Sequence, residues 1–137
     1  MTVIVDASVA LKWVVDEVGS DAARRLIMEE VLAAPDLLFV ECANSLWVKA
    51  RRGQMTAMDA RSAMLAIESA PVRAVATQLH ASAAQAIAFE LDQTAYDSLY
   101  LAVALAERAT LVTADQAFAQ AALAHPVYRG SLKLIGA

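Results

Sequence analysis

The alternation of apolar and polar positions divides the chain into short apolar runs and longer segments with helical periodicity. The first run, Thr2–Val5, does not alternate and stops at Asp6, which is typical of a strand buried on both faces of a sheet. Asp36–Val40 is interpreted as either a second strand or the approach to a helix. Further strands are predicted at Val72–Ala76, Thr110–Thr113 and Ser131–Ile135.

Helix signals fill the segments between these runs. Apolar residues from Ala43 to Ala50 recur at helical spacing, and the segment from Thr56 to Asp59 has the form of a capping box. The predicted helices are Ser8–Val15, Ser20 to about Ala33 with Pro35 ending it, Glu41–Arg52 closed by Gly53, Thr56 to about Pro71, Leu79–Leu91, Thr94 to about Arg108, and Asp115 to about Leu123.

Strands that alternate with helices along the whole chain indicate an α/β fold. We predict a central, mostly parallel sheet of about four to five strands, flanked by helices. The chain has 137 residues, a usual size for one domain, and we predict a single domain over residues 1–137. Its hydrophobic fraction of 59% is rich in Ala, which favours helices around a small buried sheet.

Three carboxylates occupy positions that suggest chemistry. Asp6 directly follows the first strand, and Asp115 lies two residues after the Thr110–Thr113 strand. In open parallel sheets, ligands bind at the carboxyl ends of the strands. Asp97 is the one charged residue between Gln93 and Ala106, and a carboxylate in such an apolar stretch is costly unless something neutralises it.

Each of these residues also has a structural interpretation. Asp6 and Asp115 can cap the helices that follow them, and Asp97 can be the acidic half of a capping box opened by Thr94. Glu41 taken alone carries little information. It begins a predicted helix whose other end carries a basic cluster, which either contacts phosphates of a bound ligand or is a solvated helix end that suits the helix dipole. The cluster consists of Lys49, Arg51 and Arg52.

The net charge of −4 argues against a broad basic surface for nucleic acid, but it does not exclude a nuclease, because bound divalent cations reverse the sign of an acidic site. A single cysteine, Cys42, cannot form an internal disulfide, and no Cys/His spacing predicts a zinc site. No apolar run reaches the length of a membrane span, and the first residues lack the pattern of a signal peptide. We therefore expect a soluble, cytoplasmic protein with no membrane partner.

Four segments of the chain, in order, resemble the signature segments of PIN domains, and the chain length is similar to that of VapC-type ribonuclease toxins. The resemblance implies a PIN fold and a metal-dependent endoribonuclease whose acidic positions are Asp6, Glu41, Asp97 and Asp115. An Asn can stand at the fourth position in the family, so the assignment of Asp115 as a direct ligand is the weakest of the four. The segments are Val3–Ser8, Glu41 with Asn44 one turn later, Tyr96–Ala104 and Leu111–Phe118.

The resemblance also implies supporting residues and partners. Ser8, Asn44 and Thr113 match polar positions beside the site. The implied partners are an RNA substrate, a second copy of the chain in a homodimer, and a cognate VapB-like antitoxin whose Arg or Lys pairs with the carboxylates.

An oxygen-only acidic site suits Mg²⁺, with Mn²⁺ as an alternative, because both prefer carboxylate and water ligands. Clustered carboxylates repel one another, and a divalent cation relieves that repulsion and activates a water for attack on phosphorus. Under this hypothesis Asp6, Glu41 and Asp97 hold the metal, and Asp115 holds a second ion or orients the water. The alternative is a catalytically weak PIN-like protein that binds RNA or regulates. Other phosphate-handling α/β domains require motifs that the chain lacks, such as a Gly-rich loop after the first strand.

Overall fold

The computed structural model describes residues 1–136, so Ala137, the last residue of the predicted domain, lies outside the described residues. Within that range five strands alternate with seven α-helices, and a short 3₁₀ helix, Thr77–His80, precedes the fifth α-helix. The strands are β1 (Thr2–Val5), β2 (Val31–Pro35), β3 (Val72–Val75), β4 (Thr110–Thr113) and β5 (Leu132–Leu134). The helices are α1 (Ala7–Val14), α2 (Ser20–Glu29), α3 (Leu37–Arg51), α4 (Ala57–Ser69), α5 (Ala81–Leu91), α6 (Ala95–Glu107) and α7 (Gln116–Leu123).

The sheet has the strand order β3-β2-β1-β4-β5, and every neighbouring pair is parallel. The central strand β1 pairs with β2 on one side and with β4 on the other, so its residues Ile4 and Val5 are completely buried. This position explains why Thr2–Val5 is apolar without alternation, since helices cover both faces of such a sheet. The predicted α/β fold with a central parallel sheet flanked by helices is confirmed.

The predicted end of the second helix was wrong. That helix ends at Glu29 rather than near Ala33, and the second strand runs from Val31 to Pro35. Of the two interpretations of Asp36–Val40, the approach to a helix is correct, because Asp36 is the N-cap of the next helix. The run Val-Leu-Ala-Ala-Pro favours helix by composition, but its last four residues are buried beside β1, and tertiary burial overrides such propensities. As a consequence α3 begins at Leu37, and Glu41 lies in its second turn instead of beginning it.

The fold places one sheet edge at a topological switch point. The chain passes from β1 to β2 and β3 on one side, then crosses to β4 and β5 on the other. Ligand sites in open α/β sheets usually lie outside the carboxyl ends of the strands at such a reversal. The carboxyl ends of β1 and β4 meet here, and they are the strand ends followed by Asp6 and Asp115.

Helix α6 is the central helix of the fold. Its residues from Ser98 to Ala104 are all buried, and it packs against α5 and against β1, β2 and β4. Its first turn carries Asp97, so the packing of α6 on the central strands fixes where that carboxylate stands. α6 is 13 residues long, and within residues 1–136 no helix is both long and apolar enough to cross a membrane.

Candidate active site

Asp6 lies at the end of β1 and is the N-cap of α1. Its Oδ1 accepts hydrogen bonds from the backbone N–H of Val9 at 3.2 Å and from the Ser8 hydroxyl at 2.5 Å. Its Oδ2 accepts a hydrogen bond from the hydroxyl of Thr113. The capping interpretation of Asp6 is therefore correct, and it does not exclude a second role, because a carboxylate oxygen that accepts one bond still has a lone pair to offer.

Burial raises the pKa of the Asp6 carboxyl from 3.8 to about 6, and the nearby charge of Asp115 adds to that effect. The hydrogen bonds from Ser8, Thr113 and Val9 act in the opposite direction, because they favour the charged form. Burial outweighs them. The protein thus holds Asp6 in a position where the negative charge is disfavoured, which is common at functional sites.

Thr113 and Ser8 connect the ends of β4 and β1. Thr113 is fully buried, and its hydroxyl donates to Asp6 while accepting the backbone N–H of Asp115 at 3.0 Å. The Ser8 hydroxyl donates to Asp6 and accepts the backbone N–H of Ala114 at 2.9 Å. These bonds fix the two strand ends relative to each other. The structure therefore places Ser8 and Thr113, two of the predicted supporting residues, in direct contact with Asp6.

Asp115 is the N-cap of α7, as its sequence position also suggested. Its Oδ1 accepts the backbone N–H of Phe118 at 3.1 Å. The cap uses this one oxygen and orients the carboxylate beside Asp6 and Asp97, whose pKa values its charge raises.

Glu41 is held by Tyr100, a contact that the sequence did not predict. The phenol of Tyr100 is buried within α6 and donates a hydrogen bond to Glu41 Oε1. Burial raises the pKa of Glu41, the bond from Tyr100 lowers it, and the charges of Asp97 and Asp6 raise it further. Burial and the adjacent Glu41 charge also raise the pKa of Tyr100, which keeps the phenol protonated and donating.

Asp97 lies in the first turn of α6, where the Thr94 hydroxyl accepts its backbone N–H at 3.1 Å. Burial raises the pKa of the Asp97 carboxyl, and the charge of Asp115 adds to the shift. Asp59 holds the corresponding position in the other capping segment, at the start of α4. The Asp59 carboxylate accepts the backbone N–H of Thr56 at 3.3 Å and completes a capping box, whereas among residues 1–136 no such backbone bond from Thr94 holds the Asp97 carboxylate.

The four predicted acidic residues therefore share one electrostatic environment. Asp115 affects Asp6 and Asp97, while Asp97 and Asp6 affect Glu41. Within residues 1–136, no three His, Cys, Asp or Glu side chains already form a ligand group for a metal ion. The cluster thus consists of carboxylates on four segments near the switch-point edge. Their charges raise one another's pKa values, and no cationic side chain of the described residues lowers the pKa of Asp6, Glu41 or Asp97.

The predicted RNA-contacting cations lie elsewhere. Lys49 and Arg51 are in the last turn of α3 and Arg52 caps it, so they are about 12–17 Å along the helix axis from Glu41. The guanidinium of Arg51 stacks over the ring of Trp47 at 5.3 Å. Asn44, the third predicted supporting residue, is exposed on α3 one turn after Glu41. The structure does not bring this basic cluster into contact with the carboxylates.

Residues 3 to 123 match the model of the PIN domain family. The chain belongs to the PIN domain family. Ribonuclease VapC9 of Mycobacterium tuberculosis is 34% identical to this PIN domain over 118 residues, which cover 82% of this chain and 85% of the relative. The predicted resemblance to PIN domains and to VapC ribonucleases is therefore confirmed.

Two solved structures share the fold of this PIN domain. PAE2754 from Pyrobaculum aerophilum superimposes with a TM-score of 0.71 at 24% identity, covering 96% of this chain and 83% of that one. VapBC2 from Rickettsia felis, solved bound to a DNA fragment from their promoter, gives a TM-score of 0.64 at 13% identity, covering 98% of this chain and 99% of that one. At these identities the likeness concerns the fold.

Proposed function

We propose that this PIN domain is a divalent-metal-dependent endoribonuclease and the toxin of a VapBC-type toxin–antitoxin pair. The observation that carries the proposal is the convergence of Asp6, Glu41, Asp97 and Asp115, with burial and mutual repulsion raising the pKa of the first three. A site that concentrates negative charge in this way is suited to a cation and, through it, to an anionic phosphate. The names of the relatives, which are VapC ribonucleases, support RNA as the substrate.

The donor set fits Mg²⁺ or Mn²⁺ better than a softer metal. The converging donors are carboxylates, which are hard oxygen ligands, and Cys42 beside them is buried with its pKa raised to about 12, mainly by burial. Mg²⁺ keeps several waters and usually takes one or two carboxylates, so it does not need a preformed cage of three. We assign Asp6, Glu41 and Asp97 as the residues that hold the metal, and Asp115 as a ligand of a second ion or as the residue that orients water.

When bound, the metal supplies Lewis-acid activation of water and of the phosphoryl group. The chain's own residues prepare the geometry for that chemistry. Ser8 and Thr113 orient the Asp6 carboxylate, and Tyr100 fixes one oxygen of Glu41. Asp115, held by its cap on α7, can accept a hydrogen bond from the attacking water. The water adds to phosphorus, its proton passes to a carboxylate, and the bridging ester oxygen leaves with a proton from solvent.

The test of the proposal is cleavage of single-stranded and structured RNA by the purified chain. We expect cleavage in Mg²⁺ or Mn²⁺ that stops when EDTA is added and returns when the metal is restored. Either metal is also expected to raise the midpoint of thermal unfolding, because an ion that binds only the folded state stabilises it. RNA binding without any cleavage in Mn²⁺ would instead support the catalytically weak RNA-binding alternative.

Replacement of Tyr100 by Phe is expected to lower the rate of RNA cleavage about tenfold near pH 7 without unfolding the protein. The ring still fills its buried space, but Glu41 loses the donor that fixes one of its oxygens and lowers its pKa. The measurement is the pH dependence of the cleavage rate, whose acidic limb should move to higher pH. The matched control is Tyr128→Phe. The Tyr128 hydroxyl also donates a hydrogen bond to a glutamate, 2.7 Å from Glu90 Oε2, but this pair is not part of the acidic site. Equal losses in both variants would contradict the role of Tyr100.

The proposed partners follow from the same assignment. A VapB-like antitoxin is expected to cover the acidic site and to place an Arg or Lys among the carboxylates, where charge attraction is strong because the site is partly buried. We also propose a homodimer and a cytoplasmic location. The proposed substrate-contacting cations Lys49, Arg51 and Arg52 are then available to RNA phosphates along α3, at a distance from the metal site.

A further inference from the structure

A small apolar cavity of about 180 Å³ opens at the same edge of the sheet as the carboxylates. Its walls include Leu37, Thr77, Tyr96 and Leu99. Leu37 comes two residues after the end of β2, and Thr77 comes two residues after the end of β3. The cavity therefore lies over the carboxyl ends of β2 and β3, while Asp6 and Asp115 follow the adjacent strands β1 and β4.

The cavity and the acidic site share two helices, α3 and α6. On α6 its wall residue Tyr96 directly precedes Asp97. On α3 its wall residue Leu37 lies four residues before Glu41, and residues at that spacing share one face of a helix. Leu37 and Glu41 thus lie on one face of α3, and Tyr96 and Asp97 are consecutive in the first turn of α6, so a group in the cavity is near whatever the carboxylates hold.

The chemistry of the walls selects the kind of group that fits. Within the described chain the residues lining the cavity include no charged side chain, so the cavity does not suit a phosphate. The Thr77 hydroxyl is already used, because it donates to Asp36 Oδ1 at 2.5 Å and accepts the backbone N–H of Leu37 at 3.2 Å. Tyr96 leaves 66% of its surface exposed at the rim. An exposed aromatic ring beside an apolar recess is suited to stacking against a flat, uncharged group.

We propose that this cavity, with Tyr96 at its rim, holds one nucleobase of single-stranded RNA beside the phosphate that is cut. The inference rests on the proposed function and adds a substrate subsite to it. A base paired in a duplex is already stacked, whereas an unpaired base is free to stack on an aromatic side chain. Because the Thr77 hydroxyl is already paired, the base is held by stacking and shape, with little discrimination among the four bases.

The first test compares variants by their cleavage kinetics. Tyr96→Ala is expected to raise KM about tenfold, with a smaller effect on kcat, and Tyr96→Phe is expected to recover most of the lost affinity because it keeps the ring. The matched control is Phe89→Ala, which removes another exposed aromatic, 83% exposed on α5, that does not line the cavity. Equal effects of Tyr96→Ala and Phe89→Ala, or no effect of Tyr96→Ala, would overturn the proposal.

The second test removes the base instead of the side chain. In an RNA whose cleavage position has been mapped, an abasic nucleotide is placed at each position flanking the cut. One such position is expected to weaken the wild type about tenfold and to have almost no effect on Tyr96→Ala, since the two changes remove the same contact. Losses of equal size in both proteins would show that Tyr96 acts elsewhere. A change in oligomeric state of Tyr96→Ala, measured by light scattering, would assign the residue to an interface between copies.

A binding measurement separates this inference from the proposed function. The affinity of Asp97→Asn for a short, labelled single-stranded RNA of mixed sequence, with and without abasic positions, is measured by fluorescence anisotropy. It is compared with the affinity of the Asp97→Asn/Tyr96→Ala double variant. If the wild type fails to cleave RNA but the abasic effect depends on Tyr96, the cavity proposal stands and the nuclease proposal fails. If the wild type cleaves RNA and the abasic effect is independent of Tyr96, the cavity proposal alone fails.

Discussion

Replacement of Asp97 by Asn is expected to lower the rate of RNA cleavage about a thousandfold, comparable with the loss of a main electrostatic group in other enzymes. The substitution removes a negative charge and keeps the size of the side chain. The local fold should persist, because the Thr94 hydroxyl caps α6 through the backbone N–H of Asp97, which the substitution leaves in place. The loss is therefore expected to be one of metal affinity and chemistry. Cleavage rates are measured over a range of Mn²⁺ concentrations, with thermal unfolding to verify the fold.

The chain provides a matched control in Asp59→Asn. Asp59 stands at the same position of a helix-opening capping segment, three residues after Thr56, but it lies at the start of α4 and its carboxylate completes the capping box. Asp59→Asn is therefore expected to lose some stability, because the capping box is weakened, and to keep its full cleavage activity. If Asp97→Asn behaves like Asp59→Asn, its carboxylate is a helix cap and the proposed site is wrong.

The parts of the candidate site that could be predicted from the sequence are residues whose neighbours in the chain indicate where they lie. Asp6 and Asp115 follow short apolar runs that are typical of buried strands, and the carboxyl ends of adjacent parallel strands meet at one edge of the sheet. Asp97 is conspicuous because it is the one charge between Gln93 and Ala106, directly before a stretch of α6, Ser98 to Ala104, that is fully buried. The capping interpretation was correct for Asp6 and Asp115, whose carboxylates each accept a backbone N–H of the following helix. It was wrong for Asp97, because Thr94 caps α6 through the backbone N–H of Asp97 and no capping box forms there among residues 1–136.

The parts that were not predicted depend on contacts between distant segments. Tyr100 and Glu41 are 59 residues apart in the chain, and nothing local to either residue indicates that they meet. One signal was available, since Tyr100 lies three residues after Asp97 on α6 and therefore faces the same side of that helix. The position of β2 in the chain was missed for a similar reason, because an Ala-rich run becomes a strand only when neighbouring strands bury it.

The Asp6→Asn variant is expected to lose RNA cleavage about a thousandfold and, without metal, to unfold less readily than the wild type at about pH 7. Burial raises the pKa of Asp6 to about 6 in the folded protein, from 3.8 as its ordinary value. A carboxyl whose pKa is raised by folding stabilises the protein below the ordinary pKa, and that contribution is lost as the pH rises through about 6. A shift of about two pKa units corresponds to roughly 3 kcal/mol of unfolding free energy that the Asn variant gains at about pH 7. The weakened hydrogen bond from Thr113 offsets about 1 kcal/mol of this gain.

Chemical denaturation in EDTA, at steps between about pH 4 and pH 8, measures this difference as the change in unfolding free energy. The unfolding free energy of Asp6→Asn should exceed that of the wild type by about 2 kcal/mol above pH 6, and the difference should disappear near pH 4. Asp36→Asn is the control with the opposite sign, because hydrogen bonds from Thr77 lower the pKa of Asp36 and its contribution is present above the ordinary pKa. Destabilisation of both variants near pH 7 would contradict the argument that burial raises the pKa of Asp6. In Mn²⁺ the unfolding free energy of the wild type should rise to that of Asp6→Asn, while that of the variant should not change. The reason is that the cation stabilises the folded state only where the Asp6 carboxylate is present to bind it.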